Sequence, residues 1–486
     1  MMFTTRRHFV RQTAIAAAAL YTRPMDVLAE AERILEQREQ NGSPPSATAI
    51  RKLVSQISGS VITPEMPDYE SARLIFNRAF DERPALIVRC ASASDVARSL
   101  EFAQSQKLLL AVRGGGHNRA GFSVCDGGVV IDLAGMNRVE VDADKRVARA
   151  QAGALVRDLD QATQRFGLAT TSGGCPTVGI AGLTLGGGQG QLMSKYGAAC
   201  DNLISAQLVT VDGRQLEASQ NSNQDLFWAI RGGGGNFGVM TALEYRLHPV
   251  TDVLAGTLMY PAGRTAEMLQ TFEKLVATAP DELNVLCGVL PSGQGARFQL
   301  QFFYCGDPLQ GNEFLKPLRA LKPQEDNVRV KPYLEAQAGG FLRAPVAHFQ
   351  TNLFLPELSA PAISAIASAT EHAPPTNRVF IVPLYGAISR VGITDTAFVL
   401  RRPGCEVDIT GLWSSPAEQE SAVQWVKSLR DNLQPFAQGV YSNQLGETSD
   451  ALVKASYGTN YARLVEIKKK YDPKNVLRLN QNVKPD

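Results

Sequence analysis

The residues of this chain that could do chemistry stand in or beside runs of glycine. The first run, Arg113-Gly114-Gly115-Gly116-His117-Asn118, follows an apolar stretch and sets an imidazole at the tip of an otherwise bare loop. Successive backbone N–H groups free of side chains can wrap an anion such as a phosphate. The second run, GGCPTVGIAGLTLGGGQG at 173–190, carries Cys175 among Gly179, Gly182, Gly186, Gly187 and Gly188. The third, RGGGGNFGVMT at 231–241, contains Gly238 and Val239. Together they suit a large phosphate-bearing cofactor. The same glycines would equally serve tight turns in a β-rich fold.

Two common nucleotide motifs are excluded. The first run has Arg119 where a dinucleotide fingerprint needs its last glycine, and strand-like sequence follows it. In the third, Gly233-x-Gly235-x-x-Gly238 has the right spacing, but a helical stretch (DLFWAI) precedes it and a strand-like one (VMTALEYRL) follows. That order reverses the strand–loop–helix arrangement the motif needs. The 5 histidines are scattered and the 7 cysteines form no CxxC pair, so no metal site is expected. A formal charge of +2 without basic or acidic runs gives no footprint for nucleic acid or a membrane surface. No pattern sets an oligomeric state.

The elements that must position these loops follow from periodicity. ALIVRC (85–90), KLLLAVR (107–113) and GGVVIDL (127–133) read as buried strands, with further strands over 138–153. SASDVARSLEFAQSQ opens on a Ser/Asp cap and repeats Val96, Leu100 and Ala103 at helical spacing. LVRDLDQATQRFG (155–167) is a second amphipathic helix. From about 253 the glycine runs thin out. ARFQLQFFYCG (296–306) alternates Phe298, Leu300 and Phe302 against Gln299, Gln301 and Phe303, as a strand does. In 414–436, Ser415, Pro416 and Glu418 give a helix start with a capping box. A helix and a turn at Asp472-Pro473 close the chain.

With 486 residues, more than one domain is expected. The N-terminus, TTRRHFVRQTAIAAAALYT, is cationic and then apolar, with no acidic residue before Asp26. It resembles a twin-arginine export signal covering 1–31, with Ala29-Glu30-Ala31 as a candidate cleavage site, and implies a periplasmic location; the alternative is an N-terminal helix with a basic start on a cytoplasmic chain. NGSPPSATA (41–49) reads as a linker.

Four stretches carry a family resemblance: LAVRGGGHNRAGFSV, GLTLGGGQGQLMSKYGAACDNL, DLFWAIRGGGGNFGVMTALEYRL and YDPKNVLRLNQNV. In wording and order they resemble the berberine-bridge-enzyme-like oxidases of the vanillyl-alcohol oxidase / p-cresol methylhydroxylase superfamily, from residue 50 to the C-terminus. The resemblance implies an α+β fold. A two-part FAD-binding domain of the p-cresol methylhydroxylase type (45–252 and 431–486) would hold an inserted sheet-and-helix substrate domain (253–430).

It also implies chemistry. FAD would be joined through a ring nitrogen of His117 to its 8α carbon and, as in the doubly linked subgroup, through Cys175 to C6. Cofactor contacts would come from Arg113, Gly114, Gly115, Gly116, Asn118, Val178, Gly179, Gly182, Gly186, Gly187, Gly188, Asp201, Asn202, Gly238, Val239 and Asn443. In GVYSNQLGE (439–447), Tyr441 resembles the family's base, with Asp395 as its proton-accepting partner. Gln444 departs from the pattern, standing where an aromatic residue is common. The implied reaction is oxidation of an alcohol, a carbohydrate above all, with hydrogen peroxide formed from O2. Val178, rather than a leucine, fits an oxidase by leaving O2 a path to the ring. The alternatives are a dehydrogenase using a quinone or other acceptor, and a flavin-containing binding protein without turnover.

Overall fold

The computed structural model describes residues 44–292, 295–337 and 344–485. The segment 1–31 read as an export signal lies outside the described residues. The linker expected over 41–49 gives way at its end to a helix, Ala47–Val54, because the Ser46 hydroxyl accepts the Ala49 N–H at 3.2 Å and caps it.

Three larger sheets and one two-stranded pair, Leu168–Ala169 with His248–Pro249, are formed by the described residues. The first runs Ser60–Ile62, Leu86–Arg89, Val129–Asp132, Leu110–Arg113 in spatial order. Its last three strands are parallel. Their near-continuous burial matches the apolar runs of the sequence, since parallel strands are covered on both faces. The helix Ala93–Ser105 covers this sheet, capped by Ser92.

The second sheet is antiparallel, in the order Val139–Asp142, Val147–Gln151, Val239–Arg246, Leu203–Val209, Gln215–Ser219. The first two sheets share one apolar core, to which Phe237, Leu464, Ile467 and Leu477 from later in the chain also belong.

The third sheet is larger and antiparallel. Its path is Glu325–Asp326, Asp252–Tyr260, Gly295–Tyr304, Leu283–Ser292, Arg378–Leu384, Gly404–Trp413, Ala347–Leu355, and Arg329–Pro332 also pairs with Asp252–Tyr260. One face carries Val285, Cys287, Phe298, Leu300, Ile381, Val407 and Ile409 into a second core. The helices Thr265–Ala277, Ala360–Glu371 and Pro416–Leu433 pack there. The last begins with the expected capping box between Ser415 and Glu418. Because side chains alternate along a strand, the other face is left with Gln301, Gln350, Arg378, Glu406, Asp408 and Thr410. That polar face looks across a cavity at the glycine loops.

Among the described residues no helix is long and apolar enough to cross a membrane, and no group of three or more His, Cys, Asp or Glu could hold a metal. All seven cysteines are free thiols.

Candidate active site

The first glycine loop leaves the strand Leu110–Arg113 and meets the second backbone to backbone. A Cβ on Gly115 would lie 2.2 Å from the Gly179 nitrogen, and one on Gly179 would lie 2.3 Å from the Gly115 nitrogen. Only two glycines permit this approach, which brings His117 and Cys175 to one wall. Gly174, Gly182 and Gly235 by contrast face open space, where an added Cβ meets nothing within 4 Å. These loops and the polar face of the third sheet enclose a cavity of about 400 Å3.

At the loop tip His117 stacks on Phe76, with ring centroids 4.0 Å apart. Its Nε2 lies 2.9 Å from Thr177 Oγ1, and Cys175 Sγ lies 3.5 Å from the same oxygen. Burial, helped by the charge of Arg119, lowers the His117 pKa to about 3. The imidazole is therefore neutral at neutral pH, with a lone pair available.

The opposite wall comes from near the C-terminus. Tyr441 is 2 % exposed, and its backbone is clamped by Asn352, which accepts the Tyr441 N–H and donates to the Tyr441 carbonyl. The Tyr441 hydroxyl oxygen accepts two donors, the Gly188 N–H at 3.1 Å and Asn443 Nδ2 at 3.0 Å. Both donors favour a phenolate, but burial, reinforced by the charge of Glu406, pushes the phenol pKa up. Since both contacts donate to the oxygen, the phenolic proton is free to point elsewhere. Asn443 can reach in because Gly186 has no side chain: a Cβ there would sit 2.1 Å from Asn443 Oδ1.

A carboxylate pair was not singled out by the sequence reading. Glu406 and Asp408 lie buried on one face of the strand Gly404–Trp413, with Gln189 beside Glu406 and Gln350 beside Asp408. Burial raises both: Asp408 to about 6, opposed by Glu406, Arg119 and Gln350, and Glu406 well above the usual carboxylate range. Two buried acids side by side hold a proton between them more readily than two charges. Arg119 reaches the same region, donating to Gln444 Oε1 at 3.2 Å and lying 3.4 Å from His348 Nε2. Gln350 donates to Gln444 as well, so Gln444 serves as an amide junction where an aromatic residue was the family's usual choice.

Of the residues singled out from the sequence, Gly114, Gly115, Gly116, His117, Asn118, Cys175, Val178, Gly179, Gly182, Gly238, Val239, Tyr441 and Asn443 line the cavity. Others stand behind it. Arg113 is buried and pairs with Asp132 at 2.9 Å. Asp201 receives both terminal nitrogens of Arg401, at 2.7 and 2.6 Å. Asn202 ties together Tyr196, Ala198 and His248. Gly187 turns against Phe398, and Gly188 presents its N–H to Tyr441.

Asp395 is not brought to Tyr441. It is exposed and accepts the Gly392 N–H at 3.0 Å, closing a local turn. The acidic groups beside Tyr441 are instead Glu406 and, next to it, Asp408. The alternation of CEVDIT, with Glu406, Asp408 and Thr410 against Val407 and Ile409, was the available signal.

Several polar atoms facing the cavity have no partner among the described residues: Gln191 Oε1, Asn284 Nδ2, Asn480 Oδ1 and Gln481 Oε1. Buried groups of this kind are costly unless a ligand satisfies them. Bare glycine backbone for a pyrophosphate and unpaired amides for a heteroaromatic ring system fit FAD.

Comparison with known proteins agrees. Residues 84–219 match the model of an FAD binding domain, and 440–484 match "Berberine and berberine like". The chain is 31 % identical over 456 residues to (R)-6-hydroxynicotine oxidase of Paenarthrobacter nicotinovorans, covering 88 % of this chain and 97 % of that one. The crystal structure of 6-hydroxy-D-nicotine oxidase from Arthrobacter nicotinovorans superposes with a TM-score of 0.82 at 29 % identity, over 88 % of this chain and 98 % of that one. A carbohydrate oxidase from Microdochium nivale shares the fold, with a TM-score of 0.81 at 23 % identity, over 90 % of this chain and all (100 %) of that one. With the same fold and near-complete coverage of a relative above 30 % identity, the chain belongs to the berberine-bridge-enzyme-like family of FAD-linked oxidoreductases.

Proposed function

We propose that this protein is an oxidase carrying covalently bound FAD, which converts an alcohol of a carbohydrate-like substrate to a carbonyl or lactone and reduces O2 to hydrogen peroxide. The observation that carries this reading is that Tyr441 and Asp408 line the same cavity as His117 and Cys175, with Glu406 buried behind them and acting on both. When bound, FAD would supply the hydride acceptor and pass the electrons on to O2.

The chain's own residues do the rest. The glycine loops would hold the pyrophosphate, and His117 and Cys175 would tether the ring. The Tyr441 hydroxyl faces the alcohol and takes its proton after passing its own to the carboxylate pair. Gly188 and Asn443 hold the phenolic oxygen in place and stabilise it as it gains charge. The amides of Asn284, Gln301, Gln350 and Gln444 on the facing wall suit a polyhydroxylated molecule. Val178 lines the cavity and, being smaller than leucine, leaves O2 a path.

The test is anaerobic mixing of the protein with a panel of sugars and other alcohols, followed by admission of air. The oxidase reading requires bleaching of the flavin by at least one substrate and hydrogen peroxide on reoxidation. A reduced protein that persists in air but transfers electrons to a quinone would make it a dehydrogenase, and bleaching by none would make it a binding protein.

We also propose export to the periplasm, on the strength of Thr5-Arg6-Arg7-His8-Phe9 and the alanine-rich stretch after it. A twin-arginine route suits a chain that must fold around FAD first. Mature protein with residues 1–31 intact and wholly cytoplasmic on fractionation would overturn this.

A further inference from the structure

The sheet face of the cavity, across from the glycine loops that would take the pyrophosphate, carries a cation without a partner. Among the described residues, the charged lining of the cavity consists of two guanidinium groups, Arg119 and Arg378, against one carboxylate, Asp408. Arg119 is held by neutral partners, Gln444 and His348. The half-buried Arg378 side chain has no hydrogen bond and no carboxylate partner among the described residues, and burial is what lowers its pKa. Asp408, raised only to about 6, is charged at neutral pH and acts on Arg119, which leaves Arg378 as the cation without an acidic partner. His348, which feels both arginines, is neutral, its pKa lowered to about 3 chiefly by burial. A guanidinium taken partly out of water without a partner is unfavourable, and a site keeps one where a ligand supplies the anion.

Its position sets the size of that ligand. Arg378 pairs with Thr410 in the sheet, and Val382 pairs with Glu406, the acid beside Tyr441. Four residues of strand separate them, roughly 13 Å by strand rise. An extended arginine side chain covers part of that distance. A small 2-hydroxy acid, whose carboxylate sits on the reacting carbon, cannot reach both ends, whereas a molecule one sugar ring long can.

We propose that the substrate is a sugar acid of the uronic type, its carboxylate on Arg378 and its reacting alcohol at Tyr441. The inference rests on the alcohol-oxidase reading above and narrows it. Arg378 offers two parallel N–H donors to a carboxylate, a geometry an ammonium lacks. Charge at the far end of the substrate leaves the reaction itself unchanged.

The experiment uses the flavin-loaded protein and two readouts. Binding is followed by the perturbation of flavin absorbance on titration with methyl glucoside against methyl glucuronoside, and methyl galactoside against methyl galacturonoside, whose blocked anomeric carbon separates binding from turnover. The acid of each pair is expected to bind roughly tenfold tighter or more, an advantage that shrinks with salt. Arg378→Gln should remove the preference and Arg378→Lys should keep part of it, with flavin content and melting temperature confirming that each variant is folded. Equal affinity for acid and neutral sugar, no binding of either, or a preference that survives Arg378→Gln overturns the inference. Flavin bleaching by the free sugars and free acids is measured separately. Preferential acid binding without bleaching would count against the alcohol-oxidase reading and leave the anion site standing.

Discussion

His117 and Cys175 meet on one hydroxyl, with Thr177 Oγ1 2.9 Å from the imidazole Nε2 and 3.5 Å from the thiol sulfur. One small side chain thus fixes the spacing between the two atoms proposed to tether the flavin. After acid precipitation, yellow colour should stay with wild-type protein and with either single variant, His117→Ala or Cys175→Ala. The double variant should release it to the supernatant. Flavin released from the wild type would refute both tethers. Thr177→Val should slow tethering without abolishing it, seen as a larger released fraction early in reconstitution.

Tyr441→Phe removes the proton-transferring oxygen but keeps the ring between Asn352 and Gly188. Anaerobic flavin reduction should slow by roughly 10²–10⁴-fold, the usual scale for loss of a general acid–base group, with flavin content unchanged. Unaltered reduction would remove Tyr441 from the chemistry.

The carboxylate pair predicts a pH dependence. Asp408 has its pKa raised to about 6 in the folded protein, so the folded state holds a proton that the unfolded chain has already released. Its contribution to stability is therefore full in acid and falls as pH rises from about 4 toward about 6. Asp408→Asn should flatten that part of the stability–pH curve. Over the same range the rate of flavin reduction should rise with pH, because an ionised pair can accept the proton of Tyr441. The variant should shift or erase the limb, as stopped-flow reduction across pH will show.

Val178 lines the cavity beside Gly179. Val178→Leu adds a methylene to that wall and should slow reoxidation by O2 more than reduction by substrate. A reoxidation rate equal to wild type would mean that O2 enters elsewhere.

Lys468 and Asp472 form a fully buried ion pair, at 2.7 Å, in which Lys468 also donates to the carbonyls of Asn236 and Leu477. Removing one partner leaves an uncompensated charge, so Lys468→Met should destabilise the protein by roughly 3–5 kcal/mol. The denaturation midpoint of the flavin-loaded protein checks this.

Much of this was legible in the sequence, for local reasons. The bare glycine runs marked the loops, His117 and Cys175 stood out within them, and the Ser415–Glu418 box announced its helix. What stayed hidden depends on pairing between distant strands. Glu406 and Asp408 alternate with Val407 and Ile409 as solvent-facing residues do, and nothing nearby in the sequence says that Tyr441 will close over them. Arg119, His348, Gln350 and Gln444 come together only when the strand Ala347–Leu355 pairs with Gly404–Trp413 and the chain returns at Tyr441. Asp395 misled because an acid in a short polar stretch is as well suited to closing a turn, which is what it does.

The insertion of Asn443 against Gly186, with Tyr441 on Gly188, has a consequence for biosynthesis. The glycine loops leave the ribosome long before the segment that completes their site. A nascent chain could build the first two sheets, but not the wall carrying Tyr441, until translation was nearly finished. A truncated product would lack the proton-transferring tyrosine and the Lys468 brace on the third glycine loop. An incomplete chain that captured flavin would therefore hold the cofactor without the wall that closes over it.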